Sequence, residues 1–155
     1  MRYQDQLVRQ TQKALDDIAR AARAIPADRA DWSPGGESRS ALNQMQEVST
    51  AANWFLPMVR DRTLPKFDEH AREEAAKLRQ SFDDIERCID AGRTSTSDLC
   101  QAIQAFPDSQ LEEEMTLPFG TFTMADILGL HYWNLIYHLG QINQIQLLLG
   151  DRAMH

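Results

Sequence analysis

Residues 127–149 contain no Asp, Glu, Lys or Arg. As one helix this run would extend about 35 Å, enough to cross a bilayer. But His131, Asn134, His138, Gln141, Asn143, Gln144 and Gln146 interrupt it. Strongly polar groups at that density are expensive in lipid. The run is expected in the interior of a soluble helical protein, not in a membrane. Leu128, Leu130, Tyr132, Trp133, Leu135, Ile136, Tyr137, Leu139 and Ile142 cover most of its remaining surface. A helix apolar nearly all round reads as buried. Within it His131, Asn134, His138 and Gln141 step by three, four and three, which places them on one stripe. A polar stripe in a buried helix must be hydrogen-bonded internally, line a cavity or bind something. Any site in this chain is expected to include it.

The other helical patterns supply the walls for such a core. Leu7, Leu15, Ile18, Ala22 and Ile25 mark a first helix over residues 5–25, stopped by Pro26. A turn-rich stretch around Trp32-Ser33-Pro34-Gly35-Gly36 follows. Ser38 or Ser40 caps a second helix that runs to about Arg60, with a kink or early end expected at Pro57. Its core stripe is Leu42, Met45, Val48, Ala52, Phe55 and Val59. Asn43, Glu47, Ala51, Trp54 and Met58 form the adjacent stripe, so Glu47 stands beside a core face. Ala71, Ala75, Leu78, Phe82, Ile85 and Ile89 predict a third, one-sided helix over residues 68–91, ended by Gly92. A short helix is expected over 97–106 and a small extended hairpin over 116–123. Thr123 then caps the last helix, with Asp126 at its third position. The expected fold class is all-α: an up-down four-helix bundle with a short extra helix and a small hairpin.

Composition narrows the function. The 155 residues make one domain, 1–155, with 43% hydrophobic and 25% charged residues. A net charge of −7 disfavours nucleic acid and anionic membrane as partners. The amino-terminal residues show no apolar signal-peptide core, and the two cysteines, Cys88 and Cys100, have no disulfide or metal spacing. A cytoplasmic protein with reduced thiols is expected. Glycine-rich phosphate loops, Gly-x-Ser-x-Gly and His-Glu-x-x-His are absent. The candidate constellation is spatial: Glu47 on the second helix facing Asn134 and His138 on the last.

Leu117-Pro118-Phe119-Gly120-Thr121-Phe122-Thr123, the later Tyr137-His138-Leu139-Gly140-Gln141-Ile142 with Leu149-Gly150, and Asp31-Trp32-Ser33-Pro34-Gly35-Gly36 leading into Ser40-Ala41-Leu42 together resemble the DinB/YfiT-like superfamily in order and spacing. The resemblance implies a four-helix bundle, commonly a homodimer. It also implies a divalent ion, often zinc or nickel, held by one histidine of the second helix and two of the last. Some such proteins are metal-dependent transferases or isomerases that use low-molecular-weight thiols. Here Glu47 and Asn134 stand at two of the three histidine positions, and only His138 keeps the family identity. His131, two turns from His138 and about 10 Å along the axis, is too distant to substitute.

Two readings stand open. In the first, Glu47, His138 and Asn134 hold a divalent metal in a reduced site of a thiol-transferase or hydrolase-type enzyme. In the second, the metal has been lost and Glu47 pairs with His138 inside a non-catalytic bundle that binds a small molecule or acts as a stress-linked interaction protein. His131, Gln141, Trp54 and Tyr137 are candidates to line a pocket beside the stripe.

Overall fold

The computed structural model describes residues 1–66 and 68–155. Five helices and one hairpin account for most of it: α1 (Tyr3–Ala24), α2 (Ala41–Asp61), α3 (Glu69–Gln80), α4 (Ile85–Ala105), β1 (Glu114–Leu117), β2 (Gly120–Thr123) and α5 (Met124–Leu148). The four long helices close a bundle in the ring order α1–α4–α2–α5. α3 packs chiefly against the outside of α2.

Local chemistry sets the boundaries. α1 ends where Ile25 turns extended before Pro26. The Ser40 hydroxyl accepts from the Asn43 amide at 3.1 Å and starts α2. Pro57 does not stop α2, which runs on to Asp61 and closes at Arg62 in the left-handed region (φ 55°). The hairpin pairs Glu114 with Thr123 and Leu117 with Gly120. Thr123 and Asp126 then exchange hydrogen bonds across the first turn of α5, the capping box expected from sequence.

Three sequence expectations need correction. The helix expected over 68–91 breaks at residues 81–84, because Asp84 turns extended and caps a new helix through the Arg87 amide at 2.8 Å. Gly92 does not end a helix, and the short helix expected over 97–106 is the second half of α4. Gly92 lies within α4, where a Cβ would meet the Ser49 backbone at 3.6 Å. Ser95 Oγ donates to the Ser49 carbonyl at 3.1 Å beside it. Glycine here is an interior helix position packed on α2, not a terminator. α5, finally, is not buried all round: Trp133, Ile136, Tyr137, Leu147 and Leu148 face outward. α1 and α2 cover two of its sides and leave a third open.

The core falls into two clusters, one toward each end of the bundle. Ile18, Ala22, Met45, Val48, Ile89, Leu135 and Ile142 fill one end, and Leu7, Ala52, Leu99, Ile103, Ile127 and Leu128 the other. No helix of the described residues is long and apolar enough to cross a membrane.

Candidate functional site

The seam between α2 and α5 gathers the polar residues of both helices. Glu47 points from α2 toward α5, and its Oε1 lies 3.1 Å from Nε2 of His138. Its other oxygen takes Nη1 of Arg39 at 2.6 Å. Arg39, just ahead of α2, also donates to the Asn43 carbonyl at 3.0 Å. The His138 ring is buried, and its Nδ1 is hydrogen-bonded to Gln44 Oε1. The Gln44 amide in turn donates to Gln141 Oε1. A polar chain therefore runs Gln141–Gln44–His138–Glu47–Arg39 across the seam. Gln44 and Glu47 are three apart and so share one face of α2.

The electrostatics follow from that chain. His138 beside it, and then Arg39, hold the Glu47 carboxyl down to about 2, against the opposing effect of burial. Glu47 is ionised at any ordinary pH. Nε2 of His138 makes no aligned hydrogen bond despite its short distance to the carboxylate. The carboxylate oxygen and that ring nitrogen face each other at contact distance.

Two further unpartnered atoms lie on the same α5 stripe: Nδ1 of His131 and Oδ1 of Asn134. Buried polar atoms without partners are costly; among the described residues Asn134 is the one of these that stands on a cavity wall, whereas His131 lies in the bundle interior and His138 faces Glu47. Asn134 and Glu47 line a cavity of about 420 Å³ between α2, α3 and α5. Trp54 and Phe55 form its aromatic wall, and Lys66 and Arg79 stand at its rim. Gln141 and Tyr137 line a smaller cavity of about 230 Å³ on the other side of the seam, with Arg39 and Gln44.

His131 belongs to the interior. Its Nε2 is hydrogen-bonded to Thr96 Oγ1 of α4 at 2.8 Å, and its ring lies 5.9 Å from that of Phe55. Burial without a charged partner pushes it down to about 4. Sequence reasoning missed Arg39, Gln44 and Thr96. The position of Gln44 one turn before Glu47 was a usable signal. Arg39 carried none, and Thr96 fell in the gap expected between two helices. Burial also raises the thiols of Cys88 and Cys100, to about 12 and about 11, so neither supplies a thiolate.

The comparisons with known proteins agree with this architecture. YfiT from Bacillus subtilis, described as a probable metal-dependent hydrolase with an unusual four-helix bundle topology, superposes with a TM-score of 0.76 at 13% identity, over 96% of this chain and 88% of that one. A DinB-like protein of Bacillus subtilis, YjoA, gives 0.69 at 17% identity, over 97% and 95%. A mycothiol-dependent maleylpyruvate isomerase gives 0.70 at 11% identity, over 90% of this chain and 60% of that one. At these identities the likeness shows the fold. No curated protein matches. The family model described as the DinB superfamily matches residues 10–142.

The donor set does not fit a zinc or nickel centre. Such ions take three or more protein ligands from His, Cys, Asp and Glu, and among the described residues no three of these come together in a way that could hold a metal. The seam offers one imidazole, one amide oxygen and one carboxylate. That carboxylate already carries a guanidinium, whose positive charge opposes a dication at the same group.

Proposed function

This chain belongs to the DinB superfamily, and from that premise we propose that it binds a small organic anion with an apolar body in the α2–α3–α5 cavity, without a resident metal. The observation that carries this reading is Asn134 Oδ1, buried and without a hydrogen-bond partner among the described residues, on the wall of a cavity of about 420 Å³. That volume suits a small ligand. Trp54 and Phe55 offer an apolar surface, Arg79 and Lys66 a site for the acidic group, and Asn134 Oδ1 an acceptor for a ligand donor. The Glu47–Arg39 pair fixes one wall of the cavity.

The descriptions of the neighbours bring a second reading, metal-dependent hydrolysis or thiol-dependent isomerisation. The buried His138 Nε2, 3.1 Å from the Glu47 carboxylate, favours it. The amide at position 134 and the guanidinium on Glu47 weigh more heavily on the other side.

An anilinonaphthalene sulfonate dye tests the proposal, because it combines an anion with an apolar body. Saturable binding of one dye per folded chain is expected, unchanged by a chelator. Ala51→Trp, which fills the cavity, and Arg79→Ala are each expected to weaken it about tenfold, the size of one charge-assisted hydrogen bond. The urea midpoint of each variant confirms folding. Absence of saturable binding, or full affinity in folded Ala51→Trp protein, overturns the reading.

A further inference from the structure

Four charged residues line the α2–α3–α5 cavity: Glu47 on α2, Lys66 ahead of α3, and Arg72 and Arg79 on α3. Three of them are basic, in a chain whose net charge is −7. The one acid, Glu47, already faces Arg39 at 2.6 Å, so the lining is positive. A cleft lined mainly by one sign of charge concentrates ligands of the other. α3 sorts its charges about this cavity. Glu69, Glu73 and Glu74 are exposed and lie off its wall, as does Lys77, which pairs with Glu74 at 2.9 Å. Only the two arginines of the helix turn toward the space.

The basic groups also stand at two ends. Arg72 and Arg79 are seven residues apart on α3, which sets them on one face and about 10 Å apart along the axis. Long side chains on a helix lean the same way, toward its N-terminus, so the two guanidinium heads keep that spacing. Ala75 and Leu78 lie between them on the same wall, and Trp54 on the α2 wall. Lys66 joins Arg72 at the end where α3 begins. At the other end Arg79 has a second guanidinium nearby, since Arg39 and Arg79 both border a polar cavity of about 350 Å³ beside Glu47.

Resting on the anion-binding role assigned to this cavity, we propose that its guest is a two-headed dianion, an apolar body about 10 Å long with an acidic group at each end. One carboxylate cannot serve both arginines, because a hydrogen-bonded oxygen lies within about 3 Å of its donor. A guest with a single acid would leave one cationic end facing apolar surface. An extended chain covers about 1.2 Å per bond, so about nine carbon–carbon bonds match the spacing, as in decanedioate. Butanedioate, with three, reaches one end at a time.

Calorimetric titration of the full chain with decanedioate, decanoate and butanedioate tests the proposal. Decanedioate is expected to saturate at one per chain and to bind about tenfold tighter than decanoate, the worth of one added charge-assisted contact. Butanedioate is expected to show no saturation in the same range. Arg72→Gln and Arg79→Gln are each expected to bring decanedioate down to the affinity of decanoate. Lys77→Gln, on α3 but off the cavity wall, is expected to leave it unchanged. The urea midpoint confirms folding of each variant. Decanedioate no tighter than decanoate, or still about tenfold tighter in either folded arginine variant, overturns the two-headed guest; saturable dye binding beside that result leaves the anion-binding role standing. Failure of the dye, decanoate and decanedioate alike to saturate overturns both.

Discussion

His131 and His138 lie on the same helix, two turns apart, each about 1% exposed, yet they occupy opposite electrostatic settings. α5 gives both the same backbone and the same burial, so the difference comes from the facing helices. Around His131, α4 offers one hydroxyl and α2 one aromatic ring, and burial alone pushes the imidazole down to about 4. Around His138, α2 offers a carboxylate on one side and an amide oxygen on the other. A buried polar residue acquires its chemistry from what is packed against it, and the stripe on α5 is two sites rather than one.

The largest expected effect breaks the comparison at His131. Its folded-state value lies below the unfolded one, near 6.5, so the unfolded chain takes the proton first. The folded state is therefore penalised progressively as pH falls from about 6.5 to about 4, and the penalty is constant below that. His131→Leu is expected to remove on the order of 3 kcal/mol of pH dependence across this window, read from urea midpoints at successive pH values. A slope identical to that of the native chain would show that His131 is not the neutral, buried group described here.

The next effect belongs to the other end of the stripe. Glu47 is held low, so its contribution is complete above about 4.5 and is lost as pH falls toward 2. Glu47→Gln keeps the shape and removes the charge. It is expected to cost about 1–2 kcal/mol near neutral pH, after allowance for the partial exposure of the pair, and to flatten the acid limb below pH 4.5. An unchanged neutral-pH midpoint would mean that neither Arg39 nor His138 depends on it.

Two smaller substitutions sharpen the contrast. Gln44→Leu removes the acceptor from His138 Nδ1 and is expected to cost about 1 kcal/mol. It should shift the ring resonances of His138 and leave those of His131 in place. Thr96→Val does the converse for about 0.5–1 kcal/mol, because it deletes only the hydroxyl at His131. Ring resonances that move together in either variant would mean that the two sites are coupled.

Much of the fold was legible in the sequence because it rests on local chemistry. The apolar periodicity of α1 and α2, Ser40 at a helix start, the Thr123–Asp126 box and the hairpin before it depend on residues within a few positions of one another. The break at 81–84 was not legible, since the stripe from Ala71 to Ile89 keeps its period through it and only the cap at Asp84 marks the new start. Gly92 reads as a stop in sequence and lies inside a helix in space, because α4 is held through it by its packing on α2. That α5 carries more apolar surface than one bundle core needs was legible; which of its sides stays open was not, because that depends on where α1 and α2 pack against it. In the site, Glu47, Asn134 and His138 could be placed from helical spacing and resemblance. Arg39, which decides how free the Glu47 carboxylate is, lies before the helix and carries no periodic signal.

The central claim is that this seam, with one imidazole, one amide and a carboxylate already paired with arginine, holds no resident zinc or nickel. Elemental analysis and calorimetric titration of the folded protein with each ion address it most directly. Well under one ion per chain, with no tight saturable site and no change on His138→Ala, is the expected result. One zinc or nickel ion per chain, retained through dialysis against a chelator and lost in His138→Ala, would contradict it.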